Sequence, residues 1–226
     1  MALVAVAGYY GARSYNPAFS EARRLEVTPG QEMALGLQAA PALAGRFGGL
    51  SADQGAQQRV DRVCEDLIGK TSVKDSPYDY DCHVLADEGT AQAFSLPGGQ
   101  VFITTGLLRR LPGDGPLAGA LSREIGHVVA RHGVEHLATV RGAGERTGAE
   151  VLASYDPEDP ASRRDPAVEA LIGQVVTMRF SAEDEREADR LAARFLAEAG
   201  YDPRALDYSA DAASNRSSGF PSARRR

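Results

Sequence analysis

The sequence predicts an α+β domain that is mainly helical, with a small sheet beside one buried helix. Segments with a 3.6-residue apolar period outnumber the β-rich runs, which lie near residues 78–86 and 100–105. The stretch at 117–130, LAGALSREIGHVVA, is apolar almost all round, the mark of a helix enclosed by a core. A chain of 226 residues, 43% of them hydrophobic, suits one globular domain with modest tails.

Each element follows from local signals. Residues 1–10 are apolar but too short to span a bilayer, and they lack the basic start of a signal peptide. They read either as the end of an export signal or anchor that begins upstream, or as an ordinary apolar terminus. Residues 1–27 are assigned as an N-terminal arm. Thr28-Pro29-Gly30-Gln31 is a capping box with proline at the first helical position. The helix it opens runs through Met33, Leu37 and Ala40 to about Phe47, with Pro41 as an expected kink and Gly48-Gly49 as its stop. Ser51 to Gln54 caps a second helix, whose inward face is Val60, Val63, Cys64 and Leu67.

Two strands are expected at 78–86 and 100–105. Pro97 and the glycines after it disfavour regular structure in the intervening 92–99. A short helix at 106–111 leads to a turn at 112–116, where Asp114 is the expected N-cap of one long helix from 117 to about 140. Residues 142–164 read as a linker with a helical turn near 150–153. Helices at 166–179 and 182–199 follow, the latter closed by Gly200 and Pro203. The main domain is assigned to 28–205. Residues 206–226, rich in Ser, Ala and Arg, are expected to form a disordered tail.

The net charge of −6, without a basic stripe, argues against a nucleic-acid partner. Cys64 and Cys82 are too few for a disulfide framework. One disulfide in an oxidising compartment and two buried thiols are both open.

The chemistry centres on residues 123–127, Arg-Glu-Ile-Gly-His, one residue short of His-Glu-x-x-His. In that motif positions i and i+4 share a helix face, so two imidazoles grip one metal ion while the Glu activates its bound water. Here Glu124 and His127 are in place, but Arg123 occupies the first ligand position, and a guanidinium has no lone pair to donate. On a buried helix these three residues are not expected to be a solvated surface trio. The helix at 182–199 carries a polar stripe of Glu183, Glu187, Arg190 and Arg194. Glu185 and Asp189 lie one turn apart beside its apolar stripe.

Four segments then carry a resemblance: 92–108 (QAFSLPGGQVFITTGLL), 121–132 (LSREIGHVVARH), 185–189 (EREAD) and 199–203 (AGYDP). With their order and spacing over roughly 28–205, the chain resembles the HtpX/BepA/CAAX-prenyl-protease family of zinc metallopeptidases (metallopeptidase family forty-eight), particularly its exported bacterial members. The resemblance implies a zincin-like fold and zinc-dependent hydrolysis of peptide bonds. It makes His127 and Glu185 metal ligands, Glu124 the general base and Asp189 the carboxylate supporting the ligands. It makes strand 98–105 the edge that pairs with an extended peptide. It also implies peptide or unfolded-protein partners and a place in the periplasm or cell envelope, with membrane association through the N-terminus.

Three departures bear on activity. Arg123 replaces a ligand. Gln92 stands where the family has Asn. The Ser-Thr-His-Pro segment and last helix of exported relatives are expected to be missing. In one continuous helix His132 lies about 140° around from His127 and His136 nearly opposite, so neither replaces the lost ligand. Arg131 shares the face of His127 but cannot ligate, and His83 sits on a remote strand. A fixed positive charge about 4 Å from a divalent ion costs roughly 8 kcal/mol at an effective dielectric near 20. Arg123 is therefore expected to reach Glu185 or Glu124 and neutralise it. The sequence reads as a zinc metalloendopeptidase impaired at its metal site; the alternative is a pseudopeptidase serving as a peptide-binding chaperone or adaptor.

Overall fold

The computed structural model describes residues 27–140 and 146–213. Helix α1 (Pro29–Arg46) starts at the capping box, where Thr28 and Gln31 satisfy each other's backbone N–H groups. It continues through Pro41 to a stop at Gly48 and Gly49, both at positive φ. Helix α2 (Gln54–Gly69) is capped by Asp53, whose carboxylate accepts from the Ala56 N–H, while Ser51 accepts from the Asp53 N–H. Its predicted inward face is buried as the 3.6 period requires. A disulfide joins Cys64 of α2 to Cys82 and closes the alternative that the sequence leaves open.

Strands β1 (Asp81–Leu85), β2 (Ala93–Ser95) and β3 (Gln100–Thr104) form one sheet in the order β1-β3-β2, parallel between β1 and β3 and antiparallel between β2 and β3. Two expectations are corrected. A strand does form within 92–99, because Ala93–Ser95 ends before Pro97 and the proline removes no ladder hydrogen bond. Residues 98–105 are not the sheet's edge: β3 is paired on both sides and wholly buried, and the edges are β1 and β2.

The period-2 alternation of β3 divides the interior. Val101 and Ile103 join a core with α2, Leu117, Leu121 and Phe195, whereas Phe102 joins a second core with Leu35, Leu43, Leu137 and Leu171. A short helix, α3 (Thr105–Leu108), leads from β3 toward helix α4 (Asp114–Val129), most of whose residues are buried. Asp114 is its first residue rather than its cap, and pairs with Arg59.

The predicted helix 117–140 is two helices. Arg131 takes φ 62 and ψ 23, and α5 (His132–Thr139) sets off in a new direction. The cause is distant in sequence. The Arg131 guanidinium donates to the Val27 carbonyl at 2.9 Å and to the buried carboxylate of Glu32, which also accepts from the Tyr78 hydroxyl at 3.0 Å. Helices α6 (Gly148–Ser154) and α7 (Pro160–Arg163) occupy parts of the expected linker, α8 (Pro166–Val175) forms where a helix is expected, and α6 and α8 close the second core.

Helix α9 (Ala182–Ala199) crosses α4, and α10 (Ala205–Ala213) covers α4 further along. Both approaches need glycine on α4. A Cβ at Gly126 would stand 2.9 Å from the Ala188 carbonyl oxygen, and one at Gly119 would stand 2.5 Å from that of Ala205. Helix α10 corrects the expectation that disorder starts at 206; burial of Ala205, Leu206 and Ser209 holds it in place. The rest of the assigned tail, and residues 1–26 of the arm, lie outside the described residues. No helix among the described residues is long and apolar enough to cross a membrane. The result is a mainly helical, zincin-like α+β fold with a small sheet beside α4.

Candidate active site

Helix α4 turns Glu124 and His127 inward, with 9% and 2% of their surfaces exposed. The Ser95 hydroxyl of β2 donates to Glu124 Oε2 at 2.9 Å. Burial pushes the Glu124 carboxyl above the ordinary carboxylate value, against the pull of His127 and the Ser95 hydrogen bond. Across the crossing, His127 Nε2 faces Glu185 Oε2 of α9 at 3.6 Å. The contact with His127 is the chief reason the Glu185 carboxyl lies below its ordinary value, outweighing partial burial.

Arg123 does not reach Glu185 or Glu124, which corrects the expected pairing. Its Nε donates to Asp189 Oδ1 at 2.6 Å. The geometry of the crossing explains this. Helices α4 and α9 run antiparallel past the close contact of Gly126 with Ala188, so a turn backward on α4 meets a turn forward on α9. His127 therefore meets Glu185, and Arg123 meets Asp189.

The sequence misses three further residues. The break at Arg131 swings His132 back, placing its Nδ1 2.9 Å from that of His127. The continuous-helix argument that set the two rings far apart fails because the helix ends between them. His132 Nε2 faces Glu187 Oε2 at 3.3 Å and Asp184 Oδ1 at 3.6 Å. Glu187, expected on a solvated stripe, has only 15% of its side chain exposed. Phe180 stacks on the His127 ring at 3.9 Å with 14° between planes. Ser95 is the third: its segment stands out in the sequence, but only the β2 pairing aims its hydroxyl inward. By contrast, His83 bonds Gln100 on the sheet and His136 is exposed, so neither joins the site.

A cleft of about 390 Å³ opens beside these groups, lined by β2, Glu124, Glu185, Met178 and Phe180 among others. Gln92 also lines it. The residues present do not fit a catalytic zinc. Only His127 Nε2 and Glu185 converge, whereas such an ion takes three protein ligands. Arg123, at the place that the motif gives to the first ligand, is drawn into an ion pair with Asp189. Among the described residues, no three His, Cys, Asp or Glu side chains form a group able to hold a metal ion.

The sequence profile of peptidase family M48 matches residues 54–212, well over half of the chain. The chain belongs to peptidase family M48. Curated relatives of this M48 chain include the mitochondrial metalloendopeptidase OMA1 of Schizosaccharomyces pombe, 32% identical over 146 residues, which cover 65% of the chain and 40% of that protein. OMA1 of Arabidopsis thaliana is 31% identical over 121 residues, covering 54% and 23%. The beta-barrel assembly-enhancing protease of Escherichia coli K12 is 27% identical over 132 residues, covering 54% and 26%. The chain thus spans less than half the length of each of these relatives. The family is zinc-dependent and acts on peptide bonds.

Proposed function

We propose that this member of family M48 keeps the peptide cleft and the general base of a metalloendopeptidase but is impaired in hydrolysis, because Arg123 stands in a metal ligand's place. The observation that carries this reading is the 2.6 Å bond from Arg123 to Asp189. It ties up both the altered position and the carboxylate that the family resemblance assigns to supporting the ligands. His127 and Glu185 remain as the two residual ligands.

The other parts of a peptidase site support the reading. Glu124 is a buried carboxylate held by Ser95, and its raised affinity for a proton suits a group that removes one from water near neutral pH. The substrate edge is reassigned from 98–105 to β2, whose open side borders the cleft. Its backbone N–H and C=O groups would pair with an extended peptide, while Phe94 and Met178 offer apolar contact. Substrates are accordingly peptides or unfolded proteins. The disulfide and the likeness to beta-barrel assembly-enhancing proteases support a place in the periplasm or cell envelope.

A second reading, favoured by a cleft that is assembled without a complete ligand set, is a pseudopeptidase that binds unfolded peptide as a chaperone or adaptor. Metal analysis of the purified protein beside Arg123→His separates the outcomes. The impaired-enzyme reading expects substoichiometric zinc in the unaltered chain, with zinc and peptide hydrolysis both gained in the variant. Near-stoichiometric zinc in the unaltered chain overturns it. Saturable, chelator-insensitive binding of unfolded peptide, with no cleavage even in Arg123→His, selects the pseudopeptidase.

A further inference from the structure

Two arginines line the cleft and are used by neither reading. Arg46 lies in the last turn of α1, and Arg179 lies in the connection between α8 and α9. Both are exposed, and among the described residues neither enters an ion pair. The helix dipole favours a cation at the end of α1, but it gives Arg179 no role, since that residue stands just before the N-cap Ser181 of α9. Each arginine adjoins an aromatic ring that is held in place. Phe47 packs on Phe94 of β2 at 4.6 Å, and Phe180 stacks on His127. The acids of the cleft, by contrast, are engaged: Glu124 accepts from Ser95, and Glu185 faces His127. The charge left for a ligand is therefore positive.

The strand edge beside them is open in a defined register. The Thr104 N–H donates to the Gln92 carbonyl and the Leu96 N–H to that of Gln100, so residues 92, 94 and 96 turn their backbone groups to β3. Ala93 and Ser95 turn theirs outward. On the other edge of the sheet the Gln57 side chain already stands in for a strand: it accepts from the Val84 N–H at 2.9 Å and donates to the Cys82 carbonyl at 2.7 Å. We propose that the cleft selects extended peptides that carry a carboxylate, which Arg46 and Arg179 attract while Ala93 and Ser95 pair with the peptide backbone. The proposal rests on the reading of the cleft as a peptide site and adds a substrate class to it. A planar guanidinium offers a carboxylate two parallel N–H donors, which a neutral amide cannot use in the same way. An acidic side chain and the free end of a peptide present this same chemistry.

Calorimetry with three peptides of one apolar sequence tests this, in chelator so that no metal cleaves them. One has a central aspartate and an amidated end, its neutral twin has asparagine instead, and the third is the twin with a free terminal carboxylate. The aspartyl peptide, the free-ended peptide or both should bind about three- to tenfold more tightly than the twin at low salt, the scale for two exposed ion pairs. Which of them gains identifies the source of the carboxylate. The advantage should shrink toward molar salt, where the screening length is about 3 Å. Arg46→Gln/Arg179→Gln should bring the three affinities together, and Arg46→Glu/Arg179→Glu should make the neutral twin the preferred ligand. Both positions are exposed, so circular dichroism should show the variants folded like the parent. Saturable binding with equal affinity for all three peptides overturns the proposal and leaves the peptide-site reading standing. An advantage that survives in Arg46→Gln/Arg179→Gln overturns it as well. Absence of saturable binding by any of the three removes the peptide-site reading and this proposal with it.

Discussion

Glu124 is stored at a cost that its surroundings only partly offset. It is buried, bonded once by Ser95, and faces the like charge of Glu185 across the cleft. Because its carboxyl is raised above the ordinary value of 4.5, the folded state holds the proton more tightly than the unfolded chain. The stability this group contributes is therefore present in acid, and is lost as pH rises through the folded value. Glu124→Gln removes that loss while its amide oxygen still accepts from Ser95. The variant should match the parent near pH 4 and exceed it increasingly toward pH 8, by about 0.5–2 kcal/mol, the usual gain when a strained site group is relieved. Urea unfolding across that range measures it. A variant less stable at pH 8 than at pH 4, relative to the parent, would contradict the assignment of burial as the dominant influence.

The helices divide by how their ends are specified. Capping boxes at Thr28, Thr147 and Ser181 are written within four residues, so the starts of α1, α6 and α9 can be read locally, as can the apolar face of α2. The meeting of Glu124, His127 and Glu185 was legible only through the family resemblance, which carries the base and ligand roles onto two separate helices. The boundary between α4 and α5 was not legible. Arg131 carries no turn signal, and its αL conformation is held by Glu32, 99 residues away in sequence. His132 was misplaced as a direct result. Glu32→Ala removes the acceptor shared by Arg131 and Tyr78, and should cost about 3 kcal/mol, the scale for breaking a buried ion pair. It should also disturb the His127–His132 contact, visible as altered ring shifts. A drop in stability with those shifts intact would mean that the break is fixed by packing alone. A milder element-level test is Gly126→Ala. Its Cβ would meet the Ala188 backbone at 2.9 Å and force α4 and α9 apart, at about 1–3 kcal/mol by urea unfolding.

At the scale of the whole molecule, what matters is which cross-links hold its parts together. One is covalent: the disulfide closes a loop of 18 residues between α2 and β1, next to the core that contains α4. A loop of that size corresponds to about 3 kcal/mol in the chain-entropy account. In a chain of about 200 residues that is roughly 6–12 °C in Tm, at about 2–4 °C per kcal/mol. Cys64→Ala/Cys82→Ala, or reductant added to the parent, should lower Tm by that amount. The second cross-link, between α4 and α9, is the Arg123–Asp189 ion pair. The unaltered chain should therefore melt at the same temperature with or without chelator. Arg123→His exchanges a contact that is always present for one that depends on an ion, and so should melt lower than the parent in chelator. In zinc it should recover by mass action, about 2.7 kcal/mol when free zinc is a hundred times the dissociation constant. A parent whose Tm rises with zinc as steeply as that of the variant would show that Arg123 yields its place to the metal.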